Sequence, residues 1–159
     1  MKLAHLPLRL ATGAYILNSG LSKQGLEGQA AEGVHAMAAG AIPAVQKIPP
    51  EKFARILSTS EIALGASLLI PFIPSTLAGA ALVGFSAGLV RLHLKTPGMR
   101  QEGSLRPTQD GIGLAKDVWL LGGGLTLLLD RRTKRSKAAV PELSPTVDTA
   151  ELTAAPRPA

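Results

Sequence analysis

The twenty residues from Ser75 to Leu94 read STLAGAALVGFSAGLVRLHL, and they contain only one Asp, Glu, Lys or Arg, which is Arg91. A helix of about 20 residues is long enough to cross the roughly 30 Å hydrocarbon core of a bilayer. A helix on the surface of a soluble domain would carry a polar face, and this stretch has almost none. The stretch therefore predicts a membrane-spanning helix.

Three other apolar stretches of similar length accompany it, at residues 3–21, 56–73 and 111–129. Each has about 18–20 residues, which is sufficient for one crossing. Pro71 and Pro74 separate the second stretch from the third and predict a tight turn between antiparallel helices. We predict an all-α fold, a polytopic membrane four-helix bundle that occupies residues 1–137.

The segments outside these four stretches also carry information. The first loop is rich in Gly and Ala, and it spaces Leu26, Ala30 and Val34 at helical intervals. This spacing predicts a short, weakly amphipathic interfacial helix that lies on the bundle. Residues 138–159 are dominated by Ala, Pro and Thr. Such a segment cannot bury enough apolar surface to order itself, so we predict a disordered C-terminal tail.

The chain is basic, with a net charge of +6. The densest basic cluster follows the last apolar stretch immediately and consists of Arg131, Arg132, Lys134, Arg135 and Lys137. This placement is typical of a chain that meets an anionic membrane surface, and it does not indicate a nucleic-acid partner. With an even number of spans, the cluster predicts that both termini are cytoplasmic. Basic residues in the first and third loops favour the opposite orientation.

Several chemistries find no support in the sequence. The chain has no cysteine, which excludes disulfides, thiolate catalysis and Cys-ligated metals. The histidines His5, His35 and His93 do not have the spacing of metal or haem ligands, so we predict no metal site. No serine or threonine stands in a recognisable His–acid pattern, which leaves nucleophilic hydrolysis unsupported.

Polar residues inside the predicted spans are the candidate functional residues. A charge near the middle of a bilayer costs about 2.5–3.5 kcal/mol, so each one requires a partner, water or a route to the interface. Five of them are predicted to lie in the leaflet that faces the two longer loops: Asn18, Glu61, Arg91, Lys116 and Asp117. Arg9 is predicted to lie nearer the opposite face.

Small residues predict which way these polar groups point. On the third helix Arg91 follows Ala80, Gly84 and Gly88 along one stripe, and such stripes mark helix–helix interfaces in membranes. We therefore expect the polar groups to face the bundle interior, except that Lys116 should extend to the headgroups. Two interpretations remain open. The cluster is either a structural clasp that sets helix register, or a ligand or proton site.

Three stretches carry a family resemblance: RLATG at 9–13 continuing to SGLSK at 19–23, EIALGASLL at 61–69, and KDVWLLGG at 116–123. Over about residues 6–130 the chain resembles the DoxX-like family of bacterial four-helix membrane proteins. The pattern of that family is similar: an arginine in the first helix, a glutamate in the second, and a Lys–Asn or Lys–Asp pair before a glycine-rich fourth helix. The resemblance implies a multi-pass protein of the inner (cytoplasmic) membrane. It also implies a link to quinone-coupled thiosulfate oxidation or to oxidoreductase complexes that handle oxidative stress.

Three functional hypotheses follow. The leading one is an accessory or anchoring subunit of a respiratory or redox-related membrane complex, without catalytic activity of its own, whose partners are bilayer lipids and other membrane or redox proteins. The alternative is a quinone-binding subunit of a membrane oxidoreductase that uses Glu61, Arg91 and Asp117, with quinone as the cofactor. The further alternative is a small-solute or ion pathway along the same polar cluster.

Overall fold

The computed structural model describes the backbone of residues 3–137 and the side chains of residues 3–130. The described chain is helical, and within it the only β-type pairing is an isolated bridge between Arg100 and Pro107. The helices are α1 (Leu6–Ser22), α2 (Gly28–Ala41), α3 (Pro50–Leu69), α4 (Ser75–Lys95), α5 (Ile112–Ala115) and α6 (Val118–Lys137). Short 3-10 turns cover Leu3–His5 and Pro43–Lys47. The predicted all-α class is confirmed.

Two predictions fall on parts of the chain that the structure does not describe. The predicted disordered tail at 138–159 lies outside the described residues. The side chains of the basic cluster also lie outside them, namely those of Arg131, Arg132, Lys134, Arg135 and Lys137.

Two helical segments are long and apolar enough to cross a membrane, Ser75–Lys95 and Ile112–Asp130. The first coincides with the stretch predicted at 75–94. The helix predicted at 56–73 is displaced towards the N-terminus, since α3 begins at Pro50 and ends at Leu69. Proline is favoured in the first turn of a helix, and the residue before Pro71 is disfavoured in helical conformation. The helix therefore includes the charged residues around Glu51 and ends before the turn.

The fourth predicted span, at 111–129, is not one continuous helix. It is interrupted between α5 and α6, at Lys116 and Asp117. There the amide of Trp119 donates to the carbonyl of Lys116 (3.2 Å), and the amide of Leu120 donates to the carbonyl of Asp117 (3.0 Å). These are the shorter-range bonds of a 3-10 turn, which tighten the backbone and often mark a functional position.

The long helices associate as two close pairs, α1 with α3 and α4 with α6. Glycine permits both contacts. A Cβ atom on Gly65 would lie 2.5 Å from the Leu17 amide nitrogen, and one on Gly79 would lie 2.8 Å from the Leu127 Cβ. Small residues at helix interfaces allow such close approach of two backbones. The paired helices therefore touch nearly backbone to backbone.

The stripe of Ala80, Gly84 and Gly88 does not form a helix–helix contact of this kind, and that prediction is wrong. Ala80 is exposed, and a Cβ on Gly84 or Gly88 would meet no atom within 4 Å among the described residues. The helix α4 meets α6 through Gly79 instead, which lies about 100° further round the helix than Ala80.

The helix α2 is the one predicted in the first loop, although it is longer than the 26–34 segment and extends to Ala41. It packs across α3 and α4, one helix from each close pair. Its buried residues, Ala31, Ala38 and Ala41, follow one another at intervals of seven and three positions and share one face. This face covers the space between the two pairs.

Candidate functional site

A cavity of about 670 Å³ lies between the two helix pairs and beneath α2. All the longer helices contribute to its wall, which is largely apolar and includes the rings of Tyr15, Phe53 and Phe85. The acidic groups on the wall are Glu61 and Asp117. The open faces of Gly84 and Gly88 also border this space, which explains why nothing packs against them.

Glu61 is buried, with 5% of its surface exposed, and it has a basic partner. The Lys23 ammonium lies 2.8 Å from the Glu61 Oε2 atom. The same Nζ atom donates to the hydroxyl of Ser19 (2.6 Å) and to its carbonyl oxygen (3.2 Å). All three ammonium protons are therefore engaged, and the charge of Glu61 is compensated on the cavity wall.

Asp117 lies at the interruption between α5 and α6 and is 8% exposed. Its Oδ1 atom is buried and has no hydrogen-bond partner among the described residues, and the residue borders the same cavity as Glu61. Leaving a buried acceptor unsatisfied costs about 1–3 kcal/mol, and more when it is charged. Asp117 Oδ1 shares this status with two other buried side-chain atoms of the described residues, His93 Nδ1 and Thr96 Oγ1.

The other predicted members of this cluster lie elsewhere. Asn18, Arg91 and Lys116 are exposed and do not border the cavity. Arg91 Nε donates to the carbonyl of Ala41 (3.0 Å), so it ties α4 to the end of α2. The expectation that Asn18 and Arg91 face the bundle interior is therefore wrong, and the basic partner of Glu61 is Lys23.

Lys23 was missed because it lies two residues beyond the predicted span. Its side chain reaches back along α1 to Ser19, which precedes it by one helical turn. A long lysine side chain at a helix end commonly bends towards a polar partner in this way. The sequence does carry a signal for this contact, because Ser19 and Lys23 are four residues apart and therefore lie one turn from each other on the same face of a helix.

Arg9 lies at the opposite end of the bundle, beside the turn between α3 and α4, and is 1% exposed. Its guanidinium donates to four carbonyl oxygens at distances of 2.7–2.9 Å, those of Ser67, Leu68, Ile70 and Ile73. The last carbonyls of a helix lack partners within the helix, so a cation is favoured at this position. Arg9 therefore anchors α1 to the end of α3.

His5, Ser75 and Asp130 form a second polar group at that end. The His5 Nε2 atom lies 2.7 Å from Asp130 Oδ2, and its Nδ1 atom lies 3.1 Å from Ser75 Oγ. The sequence showed no such Ser–His–acid association because the three residues are far apart in the chain. Arg9 also donates to Ser75 Oγ (3.3 Å). We assign this network a structural role, since it joins α1 to α4 and α6.

Among the described residues, no three His, Asp or Glu side chains lie close enough together to hold a metal ion. The chain matches no protein-family model, no curated protein and no solved structure. The cavity with its two carboxylates is therefore the feature from which a function has to be argued.

Proposed function

We propose that this chain is a multi-pass protein of the inner membrane whose cavity binds a lipid-soluble molecule of the quinone class, with a ring as its head group. In this proposal α1, α3, α4 and the segment Ile112–Asp130, which comprises α5 and most of α6, each cross the bilayer as a polytopic four-helix bundle, with both termini cytoplasmic. One observation carries it: a cavity of about 670 Å³, mostly apolar, with Glu61, Lys23 and Asp117 on its wall.

The surface of the helices supports the membrane part of the proposal. Only 28% of each of the two apolar windows is buried within the chain, whereas a core helix of a soluble protein is mostly buried. Large apolar side chains are exposed along the bundle, including Leu10, Ile56, Leu77 and Leu125. A helix of 17 residues such as α1 is about 26 Å long, and one of 20 residues such as α3 is about 30 Å. These lengths approach or match the hydrocarbon thickness.

The size and chemistry of the cavity support the ligand part. Sites for small molecules have volumes of roughly 300–1,000 Å³, mostly apolar walls and a few convergent polar groups. The cavity has all three properties, and its aromatic side chains suit a flat ring. The resemblance to DoxX-like proteins points to the same ligand class.

The test is ligand binding by the full chain in lipid nanodiscs. Trp119 is the only tryptophan, and its ring lies 6.2 Å from that of Tyr15 on the cavity wall, so its fluorescence should report binding of a short-tailed quinone. Gly88→Leu places a large side chain into the cavity and should weaken binding at least tenfold. Gly122→Leu is the matched control, because Gly122 is exposed with nothing within 4 Å and does not border the cavity. Equal binding by both variants would contradict the proposal.

A role as an accessory subunit of a redox-related complex is compatible with this site. It is favoured by the exposed small residues Ala80, Ala81 and Ala87 on α4, since such surfaces allow close approach of a further membrane helix. Native gel electrophoresis of gently solubilised membranes tests it. The chain should migrate with a respiratory or redox protein, and a chain that always migrates alone counts against this role.

A further inference from the structure

The cavity has one side that no further helix covers, the seam between α1 and α6. If the cavity is a quinone-type site as proposed above, we infer that its ligand carries a long apolar tail, which passes through this seam into the bilayer while the ring stays in the cavity. Tyr15 and Trp119 form the gate in the seam. The ligand is thereby a membrane-borne amphiphile that reaches the site from the lipid and not from water.

Two seams separate the close helix pairs, one between α3 and α4 and the other between α1 and α6. The helix α2 packs on both α3 and α4, so it covers the first seam. The helices α1 and α6 are not closely packed on each other, and the contacts that bridge their seam involve side chains. Leu8 Cδ1 lies 3.2 Å from the position of a Cβ atom on Gly123, and the ring centroids of Tyr15 and Trp119 are 6.2 Å apart. Side chains can change rotamer, so this seam can open without moving a helix.

Tyr15 belongs both to the cavity wall and to the outer surface of the bundle. It borders the cavity, yet 47% of its surface is exposed. Trp119 packs against it, is 42% exposed and does not border the cavity, so it covers Tyr15 from the outside. A residue that is wall and surface at once marks a place where the wall is one side chain thick. Separation of the two rings therefore opens the cavity to the surroundings of the bundle.

This thin part of the wall lies at the depth of the lipid acyl chains. Tyr15 follows Leu6, the first residue of α1, by nine positions, which is about 14 Å along a helix of about 26 Å. Aromatic residues that anchor a helix in the headgroup region are found near its ends instead. Exposed residues near the two rings include the apolar Ala11 and Val118. An opening at this depth therefore faces hydrocarbon, which solvates an apolar tail.

The polar end of the cavity lies away from this opening. Lys23 follows Tyr15 by eight residues, about 12 Å along α1, and its ammonium contacts Glu61 and the hydroxyl of Ser19. An apolar tail that left beside this ion pair would desolvate charged groups without compensation. A ring with polar substituents fits near Lys23, and a tail fits at Tyr15. The cavity therefore matches an amphiphile with a ring as its head group and an apolar tail.

Photolabelling of the full chain in lipid nanodiscs tests the route of the tail. The probe is a benzoquinone with a long alkyl tail that carries a diazirine close to the ring. After irradiation, mass spectrometry should find the label on α1 and α6, at Tyr15, at Trp119 and within one turn of them. An excess of the same quinone without the diazirine should suppress this labelling, whereas it should not suppress labelling by a fatty acid with the same diazirine.

A different distribution of the label would overturn the inference. Met37 on α2 borders the cavity and is 42% exposed, so it marks the alternative exit past α2. If the label that the quinone suppresses lies on α2 around Met37 and not on α1 and α6, the tail does not leave through the seam.

Tyr15→Ala removes one ring of the gate and tests it kinetically. An aromatic pair contributes about 0.5–1.5 kcal/mol, which corresponds to a factor of about 2–10 in a rate. Association and dissociation of the long-tailed quinone should both accelerate by about this factor in stopped-flow measurements of tryptophan fluorescence. Phe72→Ala is the matched control and should leave both rates unchanged, because Phe72 is 92% exposed in the turn between α3 and α4.

The outcomes separate the route of the tail from the proposed function. If the quinone binds neither with a short tail nor with a long one, the quinone-class site itself is wrong. If it binds but Tyr15→Ala leaves both rates unchanged, the site stands and the gate is wrong. The photolabelling uses the unchanged chain, so it decides the route even if Tyr15→Ala does not fold.

Discussion

Replacing Gly65 by alanine tests the closest contact in the structure, that between α1 and α3. The added Cβ atom would lie 2.5 Å from the Leu17 nitrogen, 2.7 Å from its Cα and 2.8 Å from its Cβ. Real Cβ atoms do not approach other atoms so closely, and the first two of these atoms belong to the backbone. They cannot move away as the end of a flexible side chain can, so the two helices must separate along this contact.

The expected loss of stability follows from a comparison with Gly122→Ala. Gly122 also lies within a helix, and a Cβ there meets no atom within 4 Å. Both substitutions share the helix-propensity difference between Gly and Ala, about 1 kcal/mol, so this contribution cancels between them. What remains is the cost of overpacking, about 1–3 kcal/mol, and the contact with backbone atoms places Gly65→Ala towards the upper end.

The assay is reversible unfolding in mixed micelles with increasing SDS, followed by far-ultraviolet circular dichroism. The free energy of unfolding of Gly65→Ala should fall about 2–3 kcal/mol below that of Gly122→Ala. A second close contact, Gly79 with Leu127 across α4 and α6, should respond to alanine in the same direction. If Gly65→Ala and Gly122→Ala are equally stable, the close pairing of α1 with α3 is refuted.

Three other substitutions test the polar contacts. Arg9→Lys should lower the free energy of unfolding in the same assay by about 2–4 kcal/mol, because a lysine cannot reach all of the carbonyl oxygens that Arg9 satisfies at the end of α3. An unchanged free energy of unfolding would contradict that anchoring role. Lys23→Ala should lower the free energy of unfolding by about 1–3 kcal/mol, because it leaves Glu61 without its partner. Adding Glu61→Gln should recover most of this loss, and additive effects of the two substitutions in a double-mutant cycle would argue against the ion pair. Arg91→Met removes the hydrogen bond that holds the end of α2 against α4, so amide hydrogen exchange should accelerate in α2 and not in α1. An equal acceleration in both helices would contradict the contact with Ala41.

The sequence was sufficient to predict where the helices lie but not how they face one another. Apolar length placed α4 within one residue of its observed end, and the proline pair placed the turn after α3. Rotation could not be predicted in the same way, because small residues surround α4 on several sides. Both Gly79 and Gly84 are plausible contact residues by composition, and only the contacts show that Gly79 packs against α6.

The candidate site was predicted in part for the same reason. Glu61 and Asp117 were selected because a charge inside a predicted span requires an explanation, and both border the cavity. Asn18 and Arg91 satisfied the same criterion but are exposed, since depth along a helix does not determine the side it faces. Lys23 lay outside the predicted span, so a criterion based on span positions could not select it.

The cavity itself follows from where the close contacts occur. Glycine lets α1 approach α3 and α4 approach α6 backbone to backbone, whereas between the pairs Gly123 on α6 meets a side chain of α1, with its Cβ position 3.2 Å from Leu8 Cδ1. The pairs are joined at one end by His5 with Asp130, and near the other end α2 bridges α3 and α4. The cavity of about 670 Å³ therefore lies where the two pairs stand apart beneath α2, with Glu61 and Asp117 on its wall.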